Sequence, residues 1–203
     1  MKILFLTNNE ISYGLHDWLK KDGNDMILFK EKITAEVIES VQPDLIISYN
    51  YKYIIKEDVI EKMPENRIIN LHISYLPWNR GAYPNIWSFL DNTPKGVSIH
   101  IIDKGLDTGK ILLQKKVDID ENIHSLKTSY ELLHFEIQKL FMENWEKIKN
   151  NEIKPFKQTG KGTIHYKKDF DEISKLLDEC GWDIKISEFK RKYFKWRKDE
   201  ESK

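Results

Sequence analysis

Four short apolar runs recur along the first third of the chain, each closed off by turn-forming or helix-forming residues. The first, KILFLT at 2–7, is continuous rather than alternating. That is the pattern of a strand covered on both faces. DMILFKE (25–31), PDLIISYN (43–50) and RIINLHI (67–73) follow as strands. Between them LHDWLKK (15–21), TAEVIESVQ (34–42) and IKEDVIEKMP (55–64) read as helices. Thr34 is a candidate N-cap, but Val37 stands where a capping box needs an acid or amide. Strand alternating with helix predicts an α/β protein with a mostly parallel, twisted sheet flanked by helices.

The second part continues with a helix at PNIWSFLDN (84–92), strands at KGVSIHIID (95–103) and KILLQKKVDI (110–119), and the turn GLDTG (105–109) between the strands. Two strands so close together should pair in part antiparallel. A long helix is predicted over 125–150, with Leu132, Phe135, Leu140, Met142 and Trp145 on its apolar side. After Glu152 the chain turns basic and Gly-containing, as a loop that reaches back over a site, then polar with scattered aromatics. The reading is a domain over 1–155 and a short C-terminal extension over 156–203, made of a loop, one or two short helices and a frayed tail.

Composition narrows the function. Lys+Arg and Asp+Glu both number 33, so the formal net charge is zero. A non-specific nucleic-acid binder would be basic. The single cysteine, Cys180, excludes an intrachain disulfide and a cysteine-rich metal site. The apolar run near Met1 is too short for a secretory core or a membrane span. The expectation is a cytoplasmic protein with no membrane, nucleic-acid or metal partner.

Chemistry concentrates in NLHISYLPWNRG (70–81) and HIIDKGLDTGKIL (100–112). Residues two apart on a strand share a face, so Asn70 and His72 point together where the chain leaves the sheet. In open α/β sheets that is where ligands bind. An amide, an imidazole and the carboxylate of Asp107 suit acyl transfer. Asn70 and His72 can donate to an oxyanion. His72 can relay a proton, and Asp107 can orient it. His100 either supports this group or is a satisfied buried histidine. His16, His124 and His134 read as structural.

These two segments resemble the paired signatures of the 10-formyltetrahydrofolate-dependent formyltransferases, in order and suitably separated. The resemblance covers roughly residues 1–155. It implies a Rossmann-like formyltransferase fold with Asn70, His72 and Asp107 as the catalytic trio. It also implies 10-formyltetrahydrofolate held by two loops. One runs Tyr49 to Ile55, with Tyr53 and Ile54; the other is Ile102, Asp103, Lys104, Gly105 and Leu106.

Within that family the segment Thr7–Ser12 lacks the glycines of a phosphate cradle, unlike glycinamide ribonucleotide transformylases. The length leaves no room for the further tRNA-binding domain of methionyl-tRNA formyltransferases or the regulatory domain of formyltetrahydrofolate hydrolases. The chain looks most like the sugar N-formyltransferases, which act on UDP- or dTDP-linked amino-deoxysugars for surface glycans. Trp78, Asn79, Arg80, Tyr83, Trp87, His165 and Lys167 are then the expected substrate contacts. Arg80 and Lys167 suit a diphosphate. The aromatic-rich C-terminal segment is a candidate for pairing two chains as a homodimer. The competing readings are a glycinamide ribonucleotide formyltransferase-like enzyme and a non-catalytic binding module on the same scaffold. The base, the ring position of the amine and the stereochemistry are left open.

Overall fold

The computed structural model describes residues 1–201. In chain order the elements are β1 (Lys2–Leu6), α1 (Tyr13–Lys21), β2 (Asp25–Phe29), α2 (Ala35–Val41), β3 (Leu45–Tyr49), α3 (Glu57–Ile60) and β4 (Ile68–His72). Then come β5 (Arg80–Gly81), α4 (Pro84–Leu90), β6 (Gly96–Ile101), β7 (Ile111–Lys116), α5 (Leu126–Glu143) and α6 (Trp145–Lys149). β8 (Ile164–His165), α7 (Asp171–Cys180) and α8 (Ile186–Glu201) complete the chain. Two compact units divide it: Met1–His72, Ser98–Gln114 and Ile137–Thr159 form the first, and the remaining segments form the second.

The first unit holds the sheet, ordered β2-β1-β3-β4-β6-β7. β1 pairs parallel with β2 and β3, and β3 with β4. β6 runs antiparallel to β4, 24 residues before it in the chain, and β7 lies beside β6 at the edge. The continuous apolar runs are central because both faces are covered: Ile3, Leu4, Phe5 and Leu6 are fully buried, and every residue of β3 is buried. Each such side chain contributes about 1.5–3 kcal/mol. β2 lies at the edge and leaves Leu28 exposed. Leu4, Leu6, Ile38, Ile46, Val59 and Ile68 form one core cluster. The order reverses between β1 and β3. Asn8 N–H donates to Asn50 O, and Lys52 N–H donates to Asn8 Oδ1 (3.0 Å), tying the two carboxyl ends together.

The second unit is built around α4, α7 and α8. Ile86, Phe89, Leu126, Phe170, Ile173, Leu177, Ile186 and Phe189 form its core. Asn85 donates to Leu126 O (3.0 Å) and Ser129 Oγ (3.1 Å), so the polar residue inside this core is satisfied. Ser125 and Thr128 cap the start of α5 reciprocally, each side-chain oxygen accepting the other's backbone N–H.

Several predicted elements change. The helix expected over 55–64 is the single turn α3. Lys62 and Met63 donate to carbonyls three residues back, and Pro64 disfavours helical geometry just before it. The long helix is broken at Asn144, whose side chain bonds back to Leu140 O (2.9 Å). Leu126, Ser129, Leu133, Ile137, Phe141 and Trp145 form one buried line, with His134 and Ile148 also buried, and Phe135 is 61% exposed. Of the expected stripe Trp145 is buried, Leu132, Leu140 and Met142 are half-buried and Phe135 faces outward, because a buried serine hides the true four-residue spacing from an apolar count. Thr34 occupies the N-cap of α2 but makes no side-chain capping bond there. The C-terminal segment is more ordered than the reading had it, since α8 alone has 16 residues.

His134 is buried in α5, edge-on to Tyr130, and burial pushes its pKa down from the ordinary value near 6.5 to about 3. The unfolded chain therefore takes up this proton first. The stability is fully present above pH 6.5 and is lost as the pH falls towards 3. Below pH 6 the native state should lose about 1.4 kcal/mol per pH unit from this group alone. Urea titrations of the wild type and His134→Gln at pH 7, 6 and 5 read it as a steeper acid decline in the wild type.

Candidate active site

Within the first unit, β4 carries Asn70 and His72 on one face, and β6 brings His100 opposite Asn70 in the antiparallel register. His100 Nδ1 lies 2.9 Å from Ile101 O, which only accepts. The proton of the neutral ring is therefore on Nδ1, and Nε2 is an acceptor. Asn70 Nδ2 lies 3.1 Å from that Nε2 and 3.3 Å from Asp107 Oδ1, and gives one proton to each. Reversing the amide would set its oxygen against a carboxylate.

Asp107 is the centre of the group. Its Oδ1 is 3.3 Å from His100 Nε2 and its Oδ2 is 3.7 Å from His72 Nδ1. The second distance is longer than a hydrogen bond. The side chains are 2% (His100), 8% (His72) and 12% (Asp107) exposed. Asp107 has φ 52, a left-handed conformation that aspartate tolerates better than most residues. The turn that holds it is fastened twice. Asp103 Oδ1 accepts from Gly105 N–H (3.1 Å) and the Thr108 hydroxyl (2.6 Å). Gln158 Nε2 donates to both Asp107 O and Gly109 O at 2.8 Å. A Cβ on Gly109 would come within 1.8 Å of Ile101 O, so only glycine lets the turn close on β6.

The expected trio is thus brought together, and His100, left open by the sequence, joins it. Gln158 was missed. Its only signal was its place in a stretch that looked able to reach back over a site. The two expected cofactor loops also lie in this unit. Tyr49 is not in a loop: it ends β3, is fully buried, and its hydroxyl accepts from Gln138 (3.3 Å). Ile55 is core. Tyr53 stands edge-on to Tyr51, and Ile54 is 75% exposed. Ile102 packs on the same core cluster as Ile55, Lys104 pairs with Glu57, and Asp103, Gly105 and Leu106 form the turn beyond β6. Among the described residues no group of three or more His, Cys, Asp or Glu is arranged to hold a metal ion, and no helix is long and apolar enough to cross a membrane.

The segment Thr7–Ser12 bonds three of its backbone N–H groups within itself. Asn9 N–H donates to Thr7 Oγ1, Ile11 N–H to Asn9 Oδ1 and Ser12 N–H to Asn9 O.

The expected substrate residues all fall in the second unit. Asn79 is fully buried in a left-handed turn, donating to Thr93 Oγ1 (2.7 Å) and accepting from the Thr163 hydroxyl (3.2 Å). It fastens the loop rather than facing outward. Arg80 sits in β5, paired in parallel with β8. Gly162 makes that approach possible, since a Cβ there would lie 2.2 Å from Pro77 O. Trp87 is buried and stacked on His165 (4.0 Å, 4° between planes), and His165 Nε2 bonds Asp91 Oδ2 (2.8 Å). Tyr83 is stacked on Phe170 (3.7 Å). These rings are engaged with each other, which periodicity could not reveal. Trp78 is half-buried and Lys167 exposed.

Comparison with known proteins agrees with this geometry. The formyltransferase PseJ from Anoxybacillus kamchatkensis, solved with UDP-4,6-dideoxy-4-formamido-L-AltNAc and tetrahydrofolate, is 43% identical. That match covers 93% of this chain and 97% of PseJ, with a TM-score of 0.85. The dTDP-4-amino-4,6-dideoxyglucose formyltransferase of Mycobacterium tuberculosis is 29% identical over 89% of this chain and 81% of its own. The methionyl-tRNA formyltransferase of Clostridium novyi is 34% identical over 68% of this chain but only 44% of its own length. The formyl transferase family model matches residues 18–144, more than half of the sequence, and the chain therefore belongs to the formyl transferase family.

Proposed function

We propose that this enzyme moves a formyl group from 10-formyltetrahydrofolate to the amino group of a nucleotide-linked amino-deoxysugar, with a UDP-linked 4-amino-4,6-dideoxy sugar as the best-supported acceptor. The observation that carries it is the convergence of Asn70, His72, His100 and Asp107 in one nearly dry cluster. The near full-length similarity to PseJ supports the acceptor class, and the Mycobacterium relative supports the 4-amino position. The domain over 1–155 carries the reaction, and 156–203 is its substrate-side extension. Among the expected acceptor contacts, Trp78, Arg80 and Lys167 are kept. The setting is cytoplasmic and the product serves surface glycan assembly.

Folate supplies the electrophilic formyl carbon. Ile54, a large apolar side chain left exposed beside Tyr53, offers a wall for a flat heterocycle, and the 102–106 turn offers backbone edges. His72, with Nδ1–H turned to Asp107, presents Nε2 as the base. It takes the proton the attacking amine loses as the new C–N bond forms, and returns it to folate N10 as the old C–N bond breaks. Asp107 stabilises the imidazolium in between. Asn70 gives both amide protons inward in this structure. The oxyanion is a stronger acceptor than the neutral imidazole of His100, so one Asn70 proton turns to it as charge develops.

Formyl transfer should depend on His72: His72→Ala lowers kcat by about 10²–10⁴-fold. Turnover at the wild-type rate in that variant would refute the mechanism. A panel of UDP- and dTDP-linked 3-amino and 4-amino deoxysugars should give the highest kcat/KM with a UDP-linked 4-amino sugar. Efficient formylation of glycinamide ribonucleotide without sugar turnover would overturn the acceptor.

A further inference from the structure

We infer that Gln158 is a positioning residue for the transfer: its carboxamide sets the turn that carries the Asp107 carboxylate. The inference rests on the reading in which Asp107 works with His72. Asp107 stands in a left-handed conformation, which costs a non-glycine residue some backbone energy. The Asp103 side chain fastens Gly105 and Thr108. Gln158 fastens the backbone of Asp107 itself. Its Nε2 reaches Asp107 O and Gly109 O at the same 2.8 Å, one proton to each, and so bridges the two carbonyls that flank Thr108.

Both partners only accept, which fixes the amide orientation. The same segment is anchored next door, where Phe156 and Ile111 exchange both backbone bonds (2.8 and 2.9 Å). The amide therefore hangs from a fixed backbone, close behind a strand of the sheet. Asparagine is one methylene too short to span both carbonyls. Glutamate has the right length but, when ionised, would set its oxygens against theirs.

The consequence is felt at the two imidazoles that Asp107 faces. Loss of the clamp frees the turn to carry the carboxylate away from His72, where a shift of about 1 Å can cost 10²-fold in rate.

Gln158→Ala and the near-isosteric Gln158→Glu test this in protein labelled with 15N at histidine. The imidazole signals of His72 and His100, assigned by single replacements, should move in both variants while those of His16, His124, His134 and His165 stay. In formyl-transfer assays kcat should fall about 10²-fold with KM for either substrate unchanged, and Gln158→Glu should be the slower of the two. Unmoved His72 and His100 signals, unchanged kcat, or a loss confined to KM would each overturn the role. Should the wild type transfer no formyl group to any acceptor, the functional reading falls, and the imidazole signals still decide the clamp.

Discussion

The antiparallel register of β4 and β6 is the constraint on which the site depends. It sets Asn70 against His100, and the turn after β6 then delivers Asp107 to both. A slip of one residue would send every side chain of one strand to the other face of the sheet. The sheet thus turns from parallel to antiparallel pairing at β4 and β6, where these side chains meet. A carboxylate so little exposed costs several kcal/mol unless it is paired. Here an Asn70 amide proton and the His72 Nδ1 face it. Its position is therefore specified energetically as well as sterically.

The polar residues of NLHISYLPWNRG divide by what they bond. Asn70 and His72 face the carboxylate. Ser74 gives its hydroxyl to Trp78 O (2.8 Å), and Asn79 is spent on Thr93 and Thr163. Buried polar atoms must find partners, so a motif rich in them mixes groups that face the carboxylate with fasteners. Asn79 looks like a substrate contact in the sequence because asparagine suits both tasks. Only its full burial and left-handed backbone separate them.

Much of the fold could be read from the sequence, for a local reason. Strands covered on both faces leave continuous apolar runs, and β1, β3 and β4 are such runs. The grouping of Asn70, His72 and Asp107 was readable because two signatures occur in order. What escaped depends on partners distant in the chain. His100 is assigned only once β6 is known to pair with β4. Gln158 lies 51 residues from Asp107 and carries no motif of its own. The stacking of Trp87 on His165 joins α4 to β8, and nothing in either segment announces the other. The buried face of α5 was misread because Ser129 belongs to it, and its partner Asn85 is 44 residues away.

The choice of acceptor turns on the segment after β1. A phosphate cradle needs backbone N–H groups pointing outward and unspent, which glycine-rich loops supply at helix N-termini. Between Thr7 and Ser12 the N–H groups of Thr7, Asn8, Asn9, Ile11 and Ser12 are all given to Phe29 O, Asn50 O, Thr7 Oγ1, Asn9 Oδ1 and Asn9 O. Asn8 also uses its side chain to hold Lys52 N and Lys30 O. The segment works as a tie across the reversal between β1 and β3. A phosphate would have to break several of these bonds and face Glu10. A phosphorylated acceptor such as glycinamide ribonucleotide therefore has little to bind here. The acceptor proposed above carries its charge on a diphosphate and asks nothing of this loop.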